Sequence, residues 1–170
     1  MVSDDNAVRE IFADEQGLLN AGTGNKIIIN MSTVSPEISK EMSILCLKLS
    51  NHYLDAPVSG SVKQAESGEL VIMAGGEEVI FNQVKPVLDQ LGKLTIRVGE
   101  AGAGNVAKLA VNTLLGIISQ GLSESVIFAR NNGIKTEDFL NIVNNGAMSS
   151  TYLKIKGDAY YKIGSRLHLH

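Results

Sequence analysis

The 28 residues between Gly104 and Gly133 contain no proline and no strand signal, and this uninterrupted stretch constrains the fold more than any other feature. Within it Leu114, Ile118, Leu122, Val126 and Ala129 recur every three or four residues, the spacing of one helix face. Everything upstream alternates instead. Ala7, Val8, Ile11 and Phe12 follow helical spacing behind Ser3, which reads as an N-cap, until Gly17 stops the run. Lys26–Met31 is a continuous β-branched run of the kind found in a strand covered on both faces. Ser35 and Pro36 then form a cap and first-turn pair ahead of a buried stripe at Ile38, Met42, Leu45 and Leu49. Strands near His52–Asp55, Glu69–Ala74 and Leu94–Val98 follow, the last two separated by a helix through Phe81, Val84, Leu88 and Leu91 that Pro86 interrupts or kinks. Such alternation is the signature of an α/β fold with a parallel sheet. Past Gly133 only helices remain: one capped by Thr136 through Phe139, Ile142 and Val143, and a weaker piece from Ser149 to about Ala159. The long helix therefore marks a boundary, with an α/β region at 1–99 and the start of an all-helical region at 100–170.

With 170 residues the chain has room for one domain with a real core, or for one domain and part of another. Its formal charge of −3 and scattered Lys and Arg residues argue against nucleic acid as a partner. Cys46 is the single cysteine, so an internal disulfide is excluded, and its place in an apolar periodic stretch reads as a buried core thiol. This is a reduced, intracellular composition. No basic segment precedes an apolar run at the N-terminus, and Asn112, Gly116 and Ser119 are expected to break the apolar stretches before they reach membrane-spanning length. The resulting expectation is a soluble, cytoplasmic protein that does not engage a membrane.

Chemistry concentrates at Gly102-Ala-Gly-Asn-Val-Ala-Lys108-Leu-Ala-Val-Asn112. Lys108 and Asn112 lie four residues apart, hence on one helix face. Near a helix start, the positive end of the macrodipole and nearby burial both lower a lysine pKa, which suits it to act as acid or base near neutral pH. Asp55-Ala-Pro-Val-Ser-Gly-Ser61 reads as a tight loop whose hydroxyl-glycine pair, Ser59 and Gly60, offers backbone N–H groups to an anion. Together they suggest a carboxylate clamp beside a proton-transfer lysine. Gly102-x-Gly104-x-x-Ala107 also satisfies the dinucleotide fingerprint, but its spacing argues against that use. The first glycine does not end the preceding strand directly, and Glu124, about twenty residues on, falls inside an unbroken helix. Those glycines are better explained as letting a substrate approach the helix start. Taken singly, each residue has a plainer role: Lys108 a solvated charge, Ser59-Gly60 a turn, Thr33 a capping hydroxyl, Asn112 a bond to neighbouring backbone. Glu77-Glu78 and Glu137-Asp138 read as first-turn charges of helices.

The joint occurrence of Asp55-Ala-Pro-Val-Ser-Gly60 and Gly104-x-x-x-Lys108-x-x-x-Asn112, with Met31-Ser-Thr33 and Gly68-Glu-Leu-Val-Ile-Met-Ala-Gly-Gly76 in matching order, resembles the β-hydroxyacid dehydrogenases. These include 3-hydroxyisobutyrate dehydrogenase, tartronate semialdehyde reductase and 6-phosphogluconate dehydrogenase, and the similarity is closest to members with short substrates. It covers about residues 1 to 159. The resemblance implies a partial Rossmann-type NAD(P)-binding domain followed by part of a helical dehydrogenase domain. It also implies Lys108 as catalytic lysine, Asn112 as the asparagine beside the substrate, and Ser59 and Gly60 as the holders of the substrate carboxylate. Thr33 matches the threonine near the nicotinamide, and Val2-Ser3 match a cofactor-contacting turn. NAD and NADP both remain open, as do hydroxyisobutyrate, tartronate semialdehyde, succinic semialdehyde and glyoxylate as substrates or products. Homo-oligomerisation through the helical domain is a further implication.

Two departures carry weight. Ser61 stands where the family often has glycine, so its side chain is expected either to crowd the clamp or to add a hydrogen bond to it. Family members also carry a strand and a Gly-x-Gly-x-x-Gly turn roughly 65 residues before the position of Met1, and a second lysine well beyond Tyr161. The expectation is thus a fragment of the enzyme, inactive by itself, with an atypical tail at 164–170 whose His168 and His170 form a disordered end and no metal site. The rival expectation, from a different class, is a non-catalytic fragment or pseudoenzyme that serves as an interaction partner.

Overall fold

A computed structural model describes residues 1–14, 17–20 and 24–157. The chain forms two compact units, Met1–Val111 and Asn112–His170. In the first unit, α1 (Asp5–Ala13) and a single 3-10 turn (Leu18–Asn20) precede β1 (Ile27–Asn30), α2 (Pro36–Lys48) and β2 (His52–Asp55). A short β3 (Val58–Ser59), α3 (Val62–Glu66), β4 (Leu70–Gly75), α4 (Glu78–Leu88) and β5 (Gly92–Gly99) complete the sheet layer. α5 (Ala103–Asn131) begins in the first unit and continues into the second, where α6 (Thr136–Asn145) and a helical segment at 151–157 follow.

β1 and β2 pair in parallel across α2, from Ile27 opposite His52 to Asn30 opposite Asp55, and β4 and β5 pair in parallel across α4. These two crossover units meet where Asp55 pairs antiparallel with Gly75, and β3 returns along β4 with Val58 opposite Ile72 and Ser59 opposite Val71. The sheet is therefore mostly parallel, as the alternation of elements implies. Side chains of β1 point alternately to two cores. Ile27, Ile29 and Met31 pack on the cluster of Leu54, Ile72, Ala74, Ile80, Phe81, Val84 and Leu88, whereas Ile28 packs on Val8, Phe12, Val34, Ile38, Met42, Cys46 and Tyr53. A strand with helices on both faces has no polar side, which accounts for its unbroken isoleucine run.

In α2 the Ser35 hydroxyl accepts from the Ile38 N–H, and Pro36 occupies the first turn. Such a cap contributes about 1 kcal/mol, less than the roughly 1.5–3 kcal/mol from burying either Ile38 or Met42, so packing fixes the helix and the cap fixes its start. The deeper stripe holds Ile38, Ser39, Met42 and Cys46. Leu49, expected within it, lies past the helix end and is exposed, and Leu91 is exposed for the same reason after α4. Pro86 is accommodated inside α4, which ends two residues later.

Other boundaries also move. Asp4, not Ser3, caps α1 by accepting from the Ala7 N–H, because only its carboxylate reaches the third helical amide. α1 ends at Ala13, before Gly17. Lys135 precedes α6 and Thr136 is its first helical residue. α3 was not anticipated, although Ser61-x-x-Gln64 is a capping-box spacing.

In the second unit, Leu122 and Val126 of α5 are buried with Leu140 of α6 and Leu153, and Ile118, Phe139 and Val143 pack against them. α5 is long and apolar enough, by length and composition, to cross a membrane. The expectation that its apolar stretch would stop short is therefore corrected: Asn112, Gly116 and Ser119 are carried within one 29-residue helix and do not interrupt it.

Burial in the α1–α2–β2 core pushes the Cys46 thiol up to about 11. The thiolate is the reactive form, so an aromatic disulfide reagent should label Cys46 at neutral pH about a hundredfold more slowly in the folded protein than in guanidinium. Comparable labelling rates in the two states would show that this core opens readily.

Candidate active site

The start of α5 organises the site. Asp55, the last residue of β2, is fully buried, and its carboxylate receives two backbone donors from the turn leading into α5: Gly102 N–H to Oδ1 at 2.7 Å and Asn105 N–H to Oδ2 at 2.8 Å. It acts as an N-cap supplied by another strand, satisfying amides that have no partner within the helix. Burial pushes the Asp55 carboxyl above the ordinary carboxylate range, against the opposing pull of these amide bonds. Because Asp55 opens the Asp55–Ser61 segment, the two motifs singled out in the sequence are physically joined.

The same contact explains the glycines. A Cβ at Gly104 would lie 2.7 Å from the Asp55 carbonyl oxygen, and one at Gly75 would lie 2.5 Å from Asp55 Oδ1. Gly102 has a left-handed φ of +93° and stands against the Pro36 carbonyl. The expectation that these glycines admit a substrate is thus corrected: the space is taken by the protein's own backbone and by Asp55. The fingerprint reading fails for the same reason, since a pyrophosphate needs the room that Asp55 fills.

Lys108 lies one turn further along α5, half-buried, and burial holds its pKa below the ordinary lysine value. The positive end of the helix faces the Asp55 carboxylate, and the cause of the Lys108 shift is burial. Asn112 follows one turn later on the same helix and is exposed.

Ser59 is half-buried in β3 opposite Val71, and Gly60 is exposed with a φ of +150°. A side chain at Gly60 would be strained and would meet Leu70 Cδ2 at 2.7 Å. Ser61 is engaged with the first turn of α3. Its backbone N–H donates to Gln64 Oε1 at 2.9 Å and its hydroxyl donates to the same oxygen, so it is spent on capping α3.

Val2 meets the turn that carries Thr33 just past the C-terminal end of β1, and Ser3, whose hydroxyl donates to Asp4 Oδ2, follows it in the chain. The Val2 N–H donates to the buried Ser32 hydroxyl at 2.8 Å, and the Ser32 N–H donates to Asn30 Oδ1, which holds the N-terminal residues against the turn that carries Thr33. Ligands of open α/β sheets bind outside the carboxyl ends of parallel strands. The half-buried Thr33 and the hydroxyl- and amide-rich turn around it fit the polar end of a nicotinamide nucleotide. One polar residue that the sequence did not single out stands between these groups: Asn105 is fully buried and bonds to the turn beside Thr33. The sequence offered only an asparagine beside a glycine pair near a helix start, which does not disclose its burial or its partners.

Residues 1–102 match the sequence profile of the NAD binding domain of 6-phosphogluconate dehydrogenase, and residues 102–170 match that described as the NAD-binding domain of NADP-dependent 3-hydroxyisobutyrate dehydrogenase. The chain is 34% identical to glyoxylate/succinic semialdehyde reductase 1 of Arabidopsis thaliana, over 95% of this chain and 56% of that protein. It is 35% identical to 2-hydroxy-3-oxopropionate reductase of Escherichia coli K12, with the same coverage. Among solved structures, a Mycobacterium tuberculosis 3-hydroxyisobutyrate dehydrogenase with L-serine matches 89% of this chain and 51% of its own, at 28% identity and a TM-score of 0.79. The chain spans about half the length of the curated relatives it matches.

Replacing Asp55 by Asn sets an NH2 group against one of the two backbone donors. It should destabilise the protein by about 1–3 kcal/mol in urea unfolding. A carboxyl whose pKa is raised on folding contributes stability below its unfolded pKa and loses it as pH rises through the folded value. The part of the stability that declines above the ordinary carboxylate range should therefore vanish in Asp55→Asn. An unchanged urea midpoint and pH slope would remove Asp55 as the anchor of α5.

Proposed function

The chain belongs to the β-hydroxyacid dehydrogenase family, and on that premise we propose an NAD(P)-dependent oxidoreductase that interconverts a short 3-hydroxycarboxylate and its semialdehyde. The observation that carries this reading is the tie between the carboxylate-binding segment and the lysine helix: Asp55, at the head of the Ser59-Gly60 loop, is bonded to the first turn of the helix that bears Lys108. The compounds named in the relatives share a chemical class. Glyoxylate, succinic semialdehyde and 2-hydroxy-3-oxopropionate are short carboxylates with an aldehyde, the last of which becomes a 3-hydroxycarboxylate on reduction, and the L-serine of the mycobacterial structure is itself a β-hydroxycarboxylate.

When bound, the nicotinamide supplies the hydride acceptor or donor. Val2, Ser3 and Thr33 would hold the nicotinamide end of the cofactor. Neutral Lys108 takes the proton of the substrate hydroxyl as hydride leaves the same carbon, and in reduction its ammonium returns a proton to the carbonyl oxygen. Burial lowers the Lys108 pKa from the ordinary lysine value, the direction that favours the neutral amine needed for oxidation. Asn112, one turn along, orients that oxygen, and Ser59 with the Gly60 backbone fixes the carboxylate so that the reacting carbon faces the cofactor. Homo-oligomerisation through the helical unit and a cytoplasmic location complete the proposal.

In the complete enzyme, Lys108→Ala should lower kcat by about two to four orders of magnitude with cofactor affinity nearly unchanged, the range of general acid–base help. In the oxidation direction kcat/KM should climb with pH as Lys108 loses its proton. That climb should fall below the ordinary lysine range and disappear in Lys108→Ala. Near-normal turnover in the variant would remove Lys108 from the mechanism.

A further inference from the structure

The side chain of Asn105 is fully enclosed, and three hydrogen bonds of this residue, two from its side chain and one from its backbone N–H, reach beyond the helix that carries it. Its Oδ1 accepts from the Val34 N–H at 3.0 Å, its Nδ2 donates to Ser39 Oγ at 3.0 Å, and its backbone N–H donates to Asp55 Oδ2 at 2.8 Å. One residue therefore binds the turn between β1 and α2, the first turns of α2, and the end of β2. Val34 directly follows Thr33. Lys108 follows Asn105 by three residues, about 4.5 Å along the helix axis.

The far side of these contacts is also built. Ser39 Oγ receives the Tyr53 hydroxyl at 3.5 Å, the Tyr53 oxygen accepts from Asn30 Nδ2 at 3.1 Å, and Asn30 Oδ1 accepts from the Ser32 N–H at 3.0 Å. Ser32 in turn accepts from Val2. The turn bearing Thr33 is thus held at Asn30, Ser32 and Val34, and Asn105 is the member of this network that comes from α5. A neutral amide can serve both ends, its oxygen accepting from a backbone N–H while its nitrogen donates to a hydroxyl.

We propose that Asn105 is a positioning residue that locks the Thr33 turn to the helix of Lys108 and so sets the separation between the cofactor's nicotinamide end and the proton-transfer group. This rests on Thr33 and Lys108 acting as proposed above. Asn105 does not meet the reacting atoms. It holds the two elements that do, and hydride transfer with concerted proton removal is sensitive to that spacing, a misplacement of 1 Å costing up to about a hundredfold in rate.

The test uses two variants of the complete enzyme and a substrate deuterated at the carbinol carbon. Asn105→Leu, similar in volume, breaks both side-chain bonds. Ser39→Ala removes the partner of Nδ2, and with it the long contact from the Tyr53 hydroxyl, but leaves the bond from the Val34 N–H to Oδ1 in place. Asn105→Leu should lower kcat by about ten- to a hundredfold, keep KM for the hydroxyacid within about twofold, and raise the deuterium isotope effect on kcat as the hydride step becomes limiting. Ser39→Ala should move kcat and the isotope effect the same way by a smaller factor. Wild-type kcat and isotope effect in both variants, with only a lower melting temperature, would reduce Asn105 to a packing role and overturn the proposal. A wild-type enzyme without hydride transfer on any short 3-hydroxycarboxylate would sink the functional reading alone. The lock is then decided by hydrogen exchange at the Val34 amide, where Asn105→Leu should speed exchange at least about tenfold and an unchanged rate overturns it.

Discussion

The buried carboxylate of Asp55 is the constraint on which the rest of the first unit depends. A charge-bearing group without solvent is costly unless its oxygens are satisfied, and here backbone amides of the turn into α5 satisfy them. The bond acts in both directions. It gives the helix a cap that its own sequence lacks, and it fixes where the helix begins relative to β2. Gly75 and Gly104 follow as necessities, because any Cβ at either position would enter the space that Asp55 occupies. Desolvation nonetheless outweighs the amide bonds in the carboxyl's pKa, so the anchor is held at some cost in stability near neutral pH. A helix whose start must be placed accurately justifies that cost better than stability does.

From this anchor the polar groups inside the α1–α2–β2 layer form one connected set. Asn105, Ser39, Tyr53, Asn30 and Ser32 link the helix start to the mouth of β1. Burial pushes the Tyr53 hydroxyl up to about 12, so it remains a neutral donor and acceptor at any pH where the protein works. Its ring meanwhile packs edge-on against Phe12 at 5.8 Å, which places α1 over β2. Apolar contacts thus hold the layer together, while the polar set selects one arrangement of its loops.

α5 serves two environments. Its first residues pack on Asp55 and the sheet of the first unit, and its later residues Leu122 and Val126 belong to the core of the second. A single helix with small residues at its start and large apolar residues further on meets both demands. The same composition makes it apolar enough to resemble a membrane span. Exposed apolar residues such as Leu114, Ile117 and Phe128 lie along it, the kind of surface that the proposed oligomer would cover.

Local pattern determined the elements. The isoleucine run, the Ser35-Pro36 start and the proline-free stretch after Gly104 each encode a structure through spacing that reaches only one turn or one strand along the chain, so they could be read without knowing the fold. The placement of Lys108 and Asn112 one turn apart on α5 was legible for the same reason, since four residues on a helix define a face. The roles of Gly102, Gly104, Ser61 and Asn105 were not legible in this way. Each depends on an atom far along the sequence or on a competition between partners: Asp55 fills the room the glycines leave, Gln64 takes the Ser61 hydroxyl, and Val34 and Ser39 claim the Asn105 amide across separations of 71 and 66 residues. A glycine's lack of a side chain signals that something approaches closely. Only tertiary structure decided that the approaching group is the protein's own buried carboxylate, because the identity of a contact is a property of chain segments brought together by folding and not of either segment alone.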